Sequence, residues 1–273
     1  MPELPEVETI VRALRPLLRD RTITGVWNDW PRHIVTPDLA ELQMRLPGSK
    51  IDDITRRGKY LVFHLDGPDT LILHLKMSGH LAVMAADQPM HPHVHTVFYL
   101  DNGQELRFRD QRKFGRVYLV GDPQTILGKL GPEPLSPTFT ASTLAARLQG
   151  RTRALKPLLL DQSVVAGVGN IYADEALFDA RLHPQQAANS LSSEEVAQLY
   201  DGIRHALQLG IDREGASISL YLKPDGQKGE MQNAVKVFRR TDQPCYECGR
   251  PIERMVLGGR STHYCPHCQP LRR

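Results

Sequence analysis

Apolar residues at the start of the chain recur every three or four positions: Leu4, Val7, Ile10, Val11, Leu14, Leu17 and Leu18. This spacing predicts one face of a helix over about residues 3–19, which Pro16 is expected to kink or shorten. From about residue 22 to 120 the period becomes strand-like. Leu61, Phe63 and Leu65 alternate with Tyr60, Val62 and His64, and similar short runs follow at 70–76, 95–101, 105–109 and 115–120. Asp66-Gly67 and Asp101-Asn102-Gly103 supply hairpin turns between them. Several short strands at this spacing predict a β-sandwich. A proline-rich stretch at 131–137 reads as a linker. Helical patterns follow at 140–149, 152–161, 171–180 and 192–210, and a polar, glycine-containing stretch at 223–229 leads into a final module.

Composition narrows the class. The chain has 273 residues, 41% hydrophobic and 24% charged, which suits a globular protein of more than one domain. Apolar runs stay well short of the ~20 residues of a membrane span. Glu3, Glu6 and Glu8 interrupt any secretory apolar region, so a cytoplasmic location is expected. The net charge of +3 is unevenly placed: residues 227–273 hold nine Lys/Arg against four Asp/Glu. A basic terminal module on a near-neutral body points to a polyanionic partner.

All four cysteines lie in that module, as Cys245-x2-Cys248 and Cys265-x2-Cys268. Two such pairs at this separation match a tetrahedral four-thiolate zinc site, which predicts one structural Zn²⁺. Disulfides are the alternative, and His263 or His267 could replace a thiolate. Gly258-Gly259 between the pairs predicts the turn of a zinc-held β-hairpin.

Two further stretches carry candidate chemistry. Behind Met1 the chain reads Pro2-Glu-Leu-Pro-Glu-Val-Glu8. Removal of the initiator methionine would leave Pro2 as a secondary amine beside Glu3. Such an amine attacks an electrophilic sugar carbon to form a cationic iminium. A generic α-amine has a pKa near ~7.7–8.0, so far more of it is free base at neutral pH than of a lysine. Without such chemistry, Pro2 and Pro5 simply begin a helix. In the second stretch, at 161–178, Gly167 and Gly169 permit a tight turn, and Asn170 is expected to cap the next helix, leaving N–H groups open to a phosphate.

Taken with Arg57-Gly-Lys-Tyr60, His74-Leu-Lys-Met-Ser-Gly79, Asp110-Gln-Arg-Lys-Phe-Gly115 and Arg260 before Cys265-Pro-His-Cys-Gln269, these stretches resemble the bacterial formamidopyrimidine-DNA glycosylases. The matching strings span nearly the full length in the family's order. The resemblance implies an α+β multidomain protein. A catalytic β-sandwich domain would cover 1–135, a helix–two-turn–helix DNA-binding domain 136–226, and a zinc-finger module 227–273. It implies a bifunctional enzyme that excises oxidised purines (8-oxoguanine, formamidopyrimidines) and nicks the strand by β,δ-elimination. The partner would be double-stranded DNA carrying oxidised bases or abasic sites, bound by a monomer associated with the bacterial nucleoid.

The resemblance also assigns roles. Pro2 is the nucleophile, Glu3 the acid/base at the sugar, and Glu6 a support for the N-terminus. Lys59 contacts the lesion phosphate and disfavours a protonated Pro2. Met77, Arg112 and Phe114 fill the space left by the extruded base. His91, Arg112, Lys156 and Asn170 contact DNA, and Arg260 contacts phosphate and donates a proton in elimination. Three departures stand out. Lys113 occupies a usual arginine position, so a fork becomes a point charge. Val237-Phe-Arg-Arg240 replaces Val-Tyr-Gly-Arg and is expected to add backbone-binding charge. The damaged-base loop reads Gly215-Ala-Ser-Ile-Ser-Leu-Tyr221, with Ser217 and Ser219 as candidates. Two alternatives compete: an endonuclease VIII-like glycosylase for oxidised pyrimidines, and a non-catalytic zinc protein that recognises damaged DNA.

Overall fold

A computed structural model describes residues 1–218 and 220–272, and Ser219 and Arg273 lie outside them. The described chain gathers into two compact units. Residues 1–129 and 214–230 form the first, and 130–213 and 231–272 belong to the second. The helical and zinc-finger portions, expected as separate domains meeting at 226/227, therefore share one unit. The segment 214–230 belongs with the N-terminal body instead.

The first unit begins with α1 (Leu4–Leu18). Leu4, Val7, Ile10, Val11, Leu14 and Leu18 are buried, whereas Leu17, at the rim of the apolar stripe, is 48% exposed. Pro16 lies in the last turn, where its missing N–H forfeits a single ladder bond, and the helix runs on to Leu18. Strands β1 (Ile23–Asn28) and β2 (Ile34–Thr36) follow, then α2 (Leu39–Arg45). The rest of the unit is β3 (Ile51–Arg57), β4 (Tyr60–Leu65), β5 (Thr70–His74), β6 (Gly79–Ala85), β7 (Val94–Leu100), β8 (Gln104–Asp110) and β9 (Arg116–Val120), with a short α3 (Gln124–Leu127).

These strands make two sheets, in the orders β1-β7-β8-β6 and β2-β9-β5-β4-β3. Both predicted hairpin turns are present, joining β4 to β5 and β7 to β8 antiparallel. One core draws on both sheets and α1: Phe98 and Phe108 from one sheet, Phe63 and Leu73 from the other, Val7 and Leu14 from the helix. Burying this apolar face is what makes the alternation structural. Val62 and Ile72, partners across β4 and β5, are also buried, so their sheet is covered on both faces there.

The second unit contains α4 (Ala141–Leu148), α5 (Leu155–Leu160), α6 (Asn170–Asp179), α7 (Ser193–Asp212) and the hairpin β10 (Glu253–Leu257) and β11 (Arg260–Tyr264). Gly169 is the N-cap of α6, so Asn170 is its first helical residue and not the expected cap. The module after α7 packs Val237, Cys245, Ile252 and Cys265 against Phe178 of α6 in a small core. Among the described residues no helix is long and apolar enough to cross a membrane.

Candidate active site and nucleic-acid interface

In the first unit, Pro2, Glu3, Glu6 and Lys59 are all buried. Glu3 is the N-cap of α1 and shares a reciprocal capping box with Glu6. One Glu6 oxygen accepts the Glu3 N–H at 2.7 Å, and the other accepts the Ala216 N–H at 2.8 Å. The residue behind Pro2 is thereby fixed to the helix and to the 214–230 segment. Lys59 follows Gly58, whose φ of +58° closes the β3–β4 turn. Arg56 braces this turn, donating to the Gly58 carbonyl at 3.1 Å and to Glu8 of α1 at 3.1 Å. Arg56 and Arg12 together hold the Glu8 carboxyl below its usual range, against its burial. Nearby, burial and the charges of Lys76 and Lys59 push the His74 imidazole down to about 3, and its Nδ1 accepts the Lys76 N–H at 2.9 Å.

Met77 is half-buried, and Phe114 is exposed with the Arg112 guanidinium 4.7 Å over its ring. The two loops that carry these side chains meet at Asp110. Ser78 donates to its carboxylate, the Gly115 N–H donates to it at 2.6 Å, and the Ser78 hydroxyl accepts the Arg112 N–H at 3.0 Å. Lys113, at φ +60°, places its ammonium 4.3 Å over the Trp30 ring. The point charge therefore has an aromatic support that its sequence position did not reveal. His91 is exposed. Its Nδ1 accepts the His93 N–H at 3.1 Å, which leaves Nε2 as the outward donor.

The 214–230 segment is tied down by its own chemistry. Ser217 donates to the Tyr221 carbonyl and accepts the Gly229 N–H, both at 3.0 Å. Tyr221 is buried in the main core and donates to the Glu214 carbonyl at 3.1 Å, so this departure from the family pattern is an anchor. Burial holds its hydroxyl above the usual phenol range. Gly215 is at φ +85°, and a side chain there would meet the Tyr221 ring and Glu6. Ser219, the other loop candidate, lies outside the described residues.

In the second unit, Asn170 and Arg260 line one cleft of about 380 Å³ with Arg239 and Arg254. Three guanidinium groups and an amide suit a phosphate backbone. The Asn170 amide donates to the Ser261 carbonyl at 3.1 Å, leaving its second N–H. One expectation needs correction. Lys156 is fully buried: its ammonium pairs with Asp174 at 2.7 Å and donates to the Ser261 carbonyl at 2.7 Å. Asp174 also accepts the His263 N–H at 3.0 Å. Lys156 thus pins the hairpin that carries Arg260; it does not present its charge to DNA. In the Val237–Arg240 stretch, Arg239 stands where the family has glycine and lines the cleft, whereas Arg240, at the family's own arginine, is folded inward, stacked 3.5 Å over Tyr246 and donating to the Lys236 and Pro244 carbonyls. Arg254 adds further cleft charge, and an exposed hairpin flank was the available signal for it.

The four cysteine sulfurs lie within 4.8 Å of one another, with Cys245–Cys268 at 3.9 Å and Cys248–Cys265 at 3.5 Å. Tetrahedral Zn–S bonds of ~2.3 Å place sulfurs about 3.8 Å apart, whereas a disulfide needs ~2.05 Å. The thiolates therefore fit one closed zinc site without help from His263 or His267.

Three family models match the chain. The formamidopyrimidine-DNA glycosylase N-terminal domain covers 1–117, that enzyme's H2TH domain 130–221, and the zinc finger found in FPG and IleRS 242–271. The formamidopyrimidine-DNA glycosylase of Symbiobacterium thermophilum is 50% identical over 99% of this chain and 90% of its own length. A structure of the Lactococcus lactis FPG mutant G226P in complex with a Fapy-dG containing DNA superposes with a TM-score of 0.92 at 37% identity, covering 98% of this chain and 100% of that one. The MutM (FPG) protein of Thermus thermophilus does so with a TM-score of 0.89 at 42% identity, over all of both chains. With its sandwich, helical and zinc-finger parts all matched, the chain belongs to the formamidopyrimidine-DNA glycosylase family.

Proposed function

We propose that this base-excision-repair glycosylase removes 8-oxoguanine and formamidopyrimidines from duplex DNA and nicks the resulting abasic site through Pro2. The observation that carries this reading is the double engagement of Glu6, which ties the residue behind Pro2 to the 214–230 segment. Nucleophile and base-gripping loop are thereby held in one unit.

Once Met1 is removed, the Pro2 nitrogen attacks C1′ of the extruded nucleotide. The glycosidic bond breaks, and the base leaves with a proton. Glu3 protonates the ring oxygen as the sugar opens, giving an iminium that acidifies C2′. Loss of the C2′ proton expels the 3′ phosphate, and a second elimination expels the 5′ phosphate. Lys59 holds the lesion phosphate and raises the cost of a charged Pro2. Met77, Arg112 and Phe114 occupy the vacated stack, Arg112 and His91 contact DNA, and Ser217 and Ser219 are the loop candidates for recognising the base. Asn170 and Arg260 hold phosphate, and Arg260 supplies a proton during elimination. Cys245, Cys248, Cys265 and Cys268 hold the zinc, which shapes the hairpin and takes no part in bond breaking. The protein acts as a monomer in the bacterial cytoplasm, on the nucleoid.

Borohydride trapping on a duplex with one 8-oxoguanine opposite cytosine, followed by peptide mass mapping, tests this. The expected adduct lies on Pro2. An adduct elsewhere removes the nucleophile assignment. Adducts only on thymine glycol or abasic duplexes move the base preference.

A further inference from the structure

We propose that Asp110 is a positioning residue that locks the Met77 turn and the Arg112–Phe114 loop into one inserting unit, with Ser78 as the clasp. The inference rests on the void-filling roles proposed above. Met77 sits in the connection between β5 and β6, and Arg112 and Phe114 in the connection between β8 and β9. The β6–β8 ladder joins the loops only at their feet, where Gly79 pairs with Asp110, and ends two residues short of Met77 and Arg112. The coupling is made by side chains.

One Asp110 oxygen accepts the Ser78 hydroxyl, and the other accepts the Gly115 N–H at 2.6 Å. The Ser78 oxygen in turn accepts the Arg112 N–H at 3.0 Å. Residues directly beside or within both inserted segments thus share a chain of hydrogen bonds that runs through one carboxylate. Asp110 is fully buried, and Ser78 nearly so, which shields the chain from competing water. Its second flank is also built. His33, fully buried, stacks on Phe108 at 5.1 Å, holds Thr96 at 3.1 Å and places Nε2 3.4 Å from the carboxylate. Phe108 also closes the space around Gly115, where a side chain would lie 2.4 Å from its ring. The carboxylate is therefore hemmed on every side and has one position to occupy.

A wedge that enters a duplex must keep its shape against the stack it displaces. Two independent loops would enter separately and could yield separately. A shared buried carboxylate makes the methionine, the arginine and the phenylalanine a single rigid insert. Asp110 touches neither substrate nor reacting atoms in this scheme; it acts through the three side chains.

The test uses zinc-loaded full-length protein and the variants Ser78→Ala, Asp110→Asn, Met77→Ala and Phe114→Ala. Single-turnover excision is measured on an 8-oxoguanine duplex carrying 2-aminopurine beside the lesion, whose fluorescence reports unstacking. Borohydride trapping is measured on a single-stranded abasic oligonucleotide, where no partner strand leaves a gap to fill. The expected result is a loss of tenfold or more in duplex excision and in the unstacking signal for Ser78→Ala and Asp110→Asn, with single-strand trapping within about twofold of wild type. Equal losses on both substrates would mean general damage and overturn the inference, and Ser78→Ala keeps this decidable if Asp110→Asn does not fold. Wild-type duplex excision by Ser78→Ala and Asp110→Asn, beside impaired Met77→Ala and Phe114→Ala, overturns the coupling alone. Wild-type excision by Met77→Ala and Phe114→Ala overturns the void-filling reading and the coupling with it.

Discussion

Glu6 accepts the backbone N–H of Ala216 at 2.8 Å, across 210 residues of sequence, while its other oxygen holds Glu3 at 2.7 Å. Each oxygen of this buried carboxylate thus serves a buried N–H group. Glu6→Gln can serve only one of them well, and the second N–H then faces an amide that also donates. An unsatisfied buried donor costs about 1–3 kcal/mol. Lesion excision is expected to fall about tenfold, with a lower melting temperature. Single-turnover kinetics beside thermal unfolding would measure both, and unchanged values would remove Glu6 from its bridging role.

Lys59 separates chemistry from binding. Lys59→Ala is expected to lower single-turnover excision by about 10²–10⁴, the range typical of a lost proton-managing group. Affinity for a duplex with an uncleavable abasic analogue should weaken far less. Comparable losses in rate and affinity would make Lys59 a phosphate anchor only.

Acid should destabilise the protein in two windows. The His74 imidazole sits at about 3 when folded and near 6.5 when free, so the unfolded chain binds the extra proton between those values. Stability therefore declines as pH falls below about 6.5. The Asp110 carboxyl sits at about 2, held low against its burial by the His33 imidazole beside it and by hydrogen bonds from Ser78 and the Gly115 N–H. Its contribution, about 2 kcal/mol, is present above pH ~4 and disappears as pH falls toward 2. Urea midpoints across pH 2–8 should show both steps, and Asp110→Asn should lack the lower one.

Zinc removal should abolish DNA binding. The hairpin carrying Arg260 has a core of only a few side chains, two of them cysteine, so it depends on its metal. One zinc per chain is expected by elemental analysis. Chelation should lower duplex affinity by at least an order of magnitude, and readded zinc should restore it. Full affinity in verified zinc-free protein would contradict this.

The cleft of Arg239, Arg254 and Arg260 predicts a steep salt dependence. Each phosphate contact contributes about −0.9 to the slope of log K against log salt. Arg260→Ala should weaken binding to any duplex and flatten that slope by about one unit. Lys156→Ala should act differently: it strands the buried Asp174 and should lower the melting temperature before it alters the slope. Identical slopes for wild type and Arg260→Ala would exclude the phosphate contact.

Periodicity was enough for α1, for most strands of the sandwich and for α4 and α7, because each buries chiefly one face, whereas α6 is buried all round from Tyr172 to Phe178. The two Cys-x2-Cys pairs were equally plain, since their chemistry is local. What stayed hidden is whatever depends on partners distant in sequence. Lys156 looks like a helix lysine until Asp174 is placed against it. Arg239 and Arg240 read alike as a charged pair until Tyr246 lies under the second and the cleft takes the first. Asp110 is one acid in a motif, and only strand pairing brings Ser78, His33 and Gly115 to its two oxygens. Tyr221 reads as a loop departure, yet it is a core residue.

The return of 214–230 to the N-terminal body makes this protein's modular boundary discontinuous. No single cut in the chain separates the body that holds Pro2 from the rest while keeping it whole. A transplant of base preference between relatives has a natural cassette in this short segment alone, with seams at Arg213/Glu214 and Glu230/Met231. Swapping everything from residue 130 onward would carry the same Ala216 and Tyr221 against a resident Glu6 and core, and would replace the whole second unit besides.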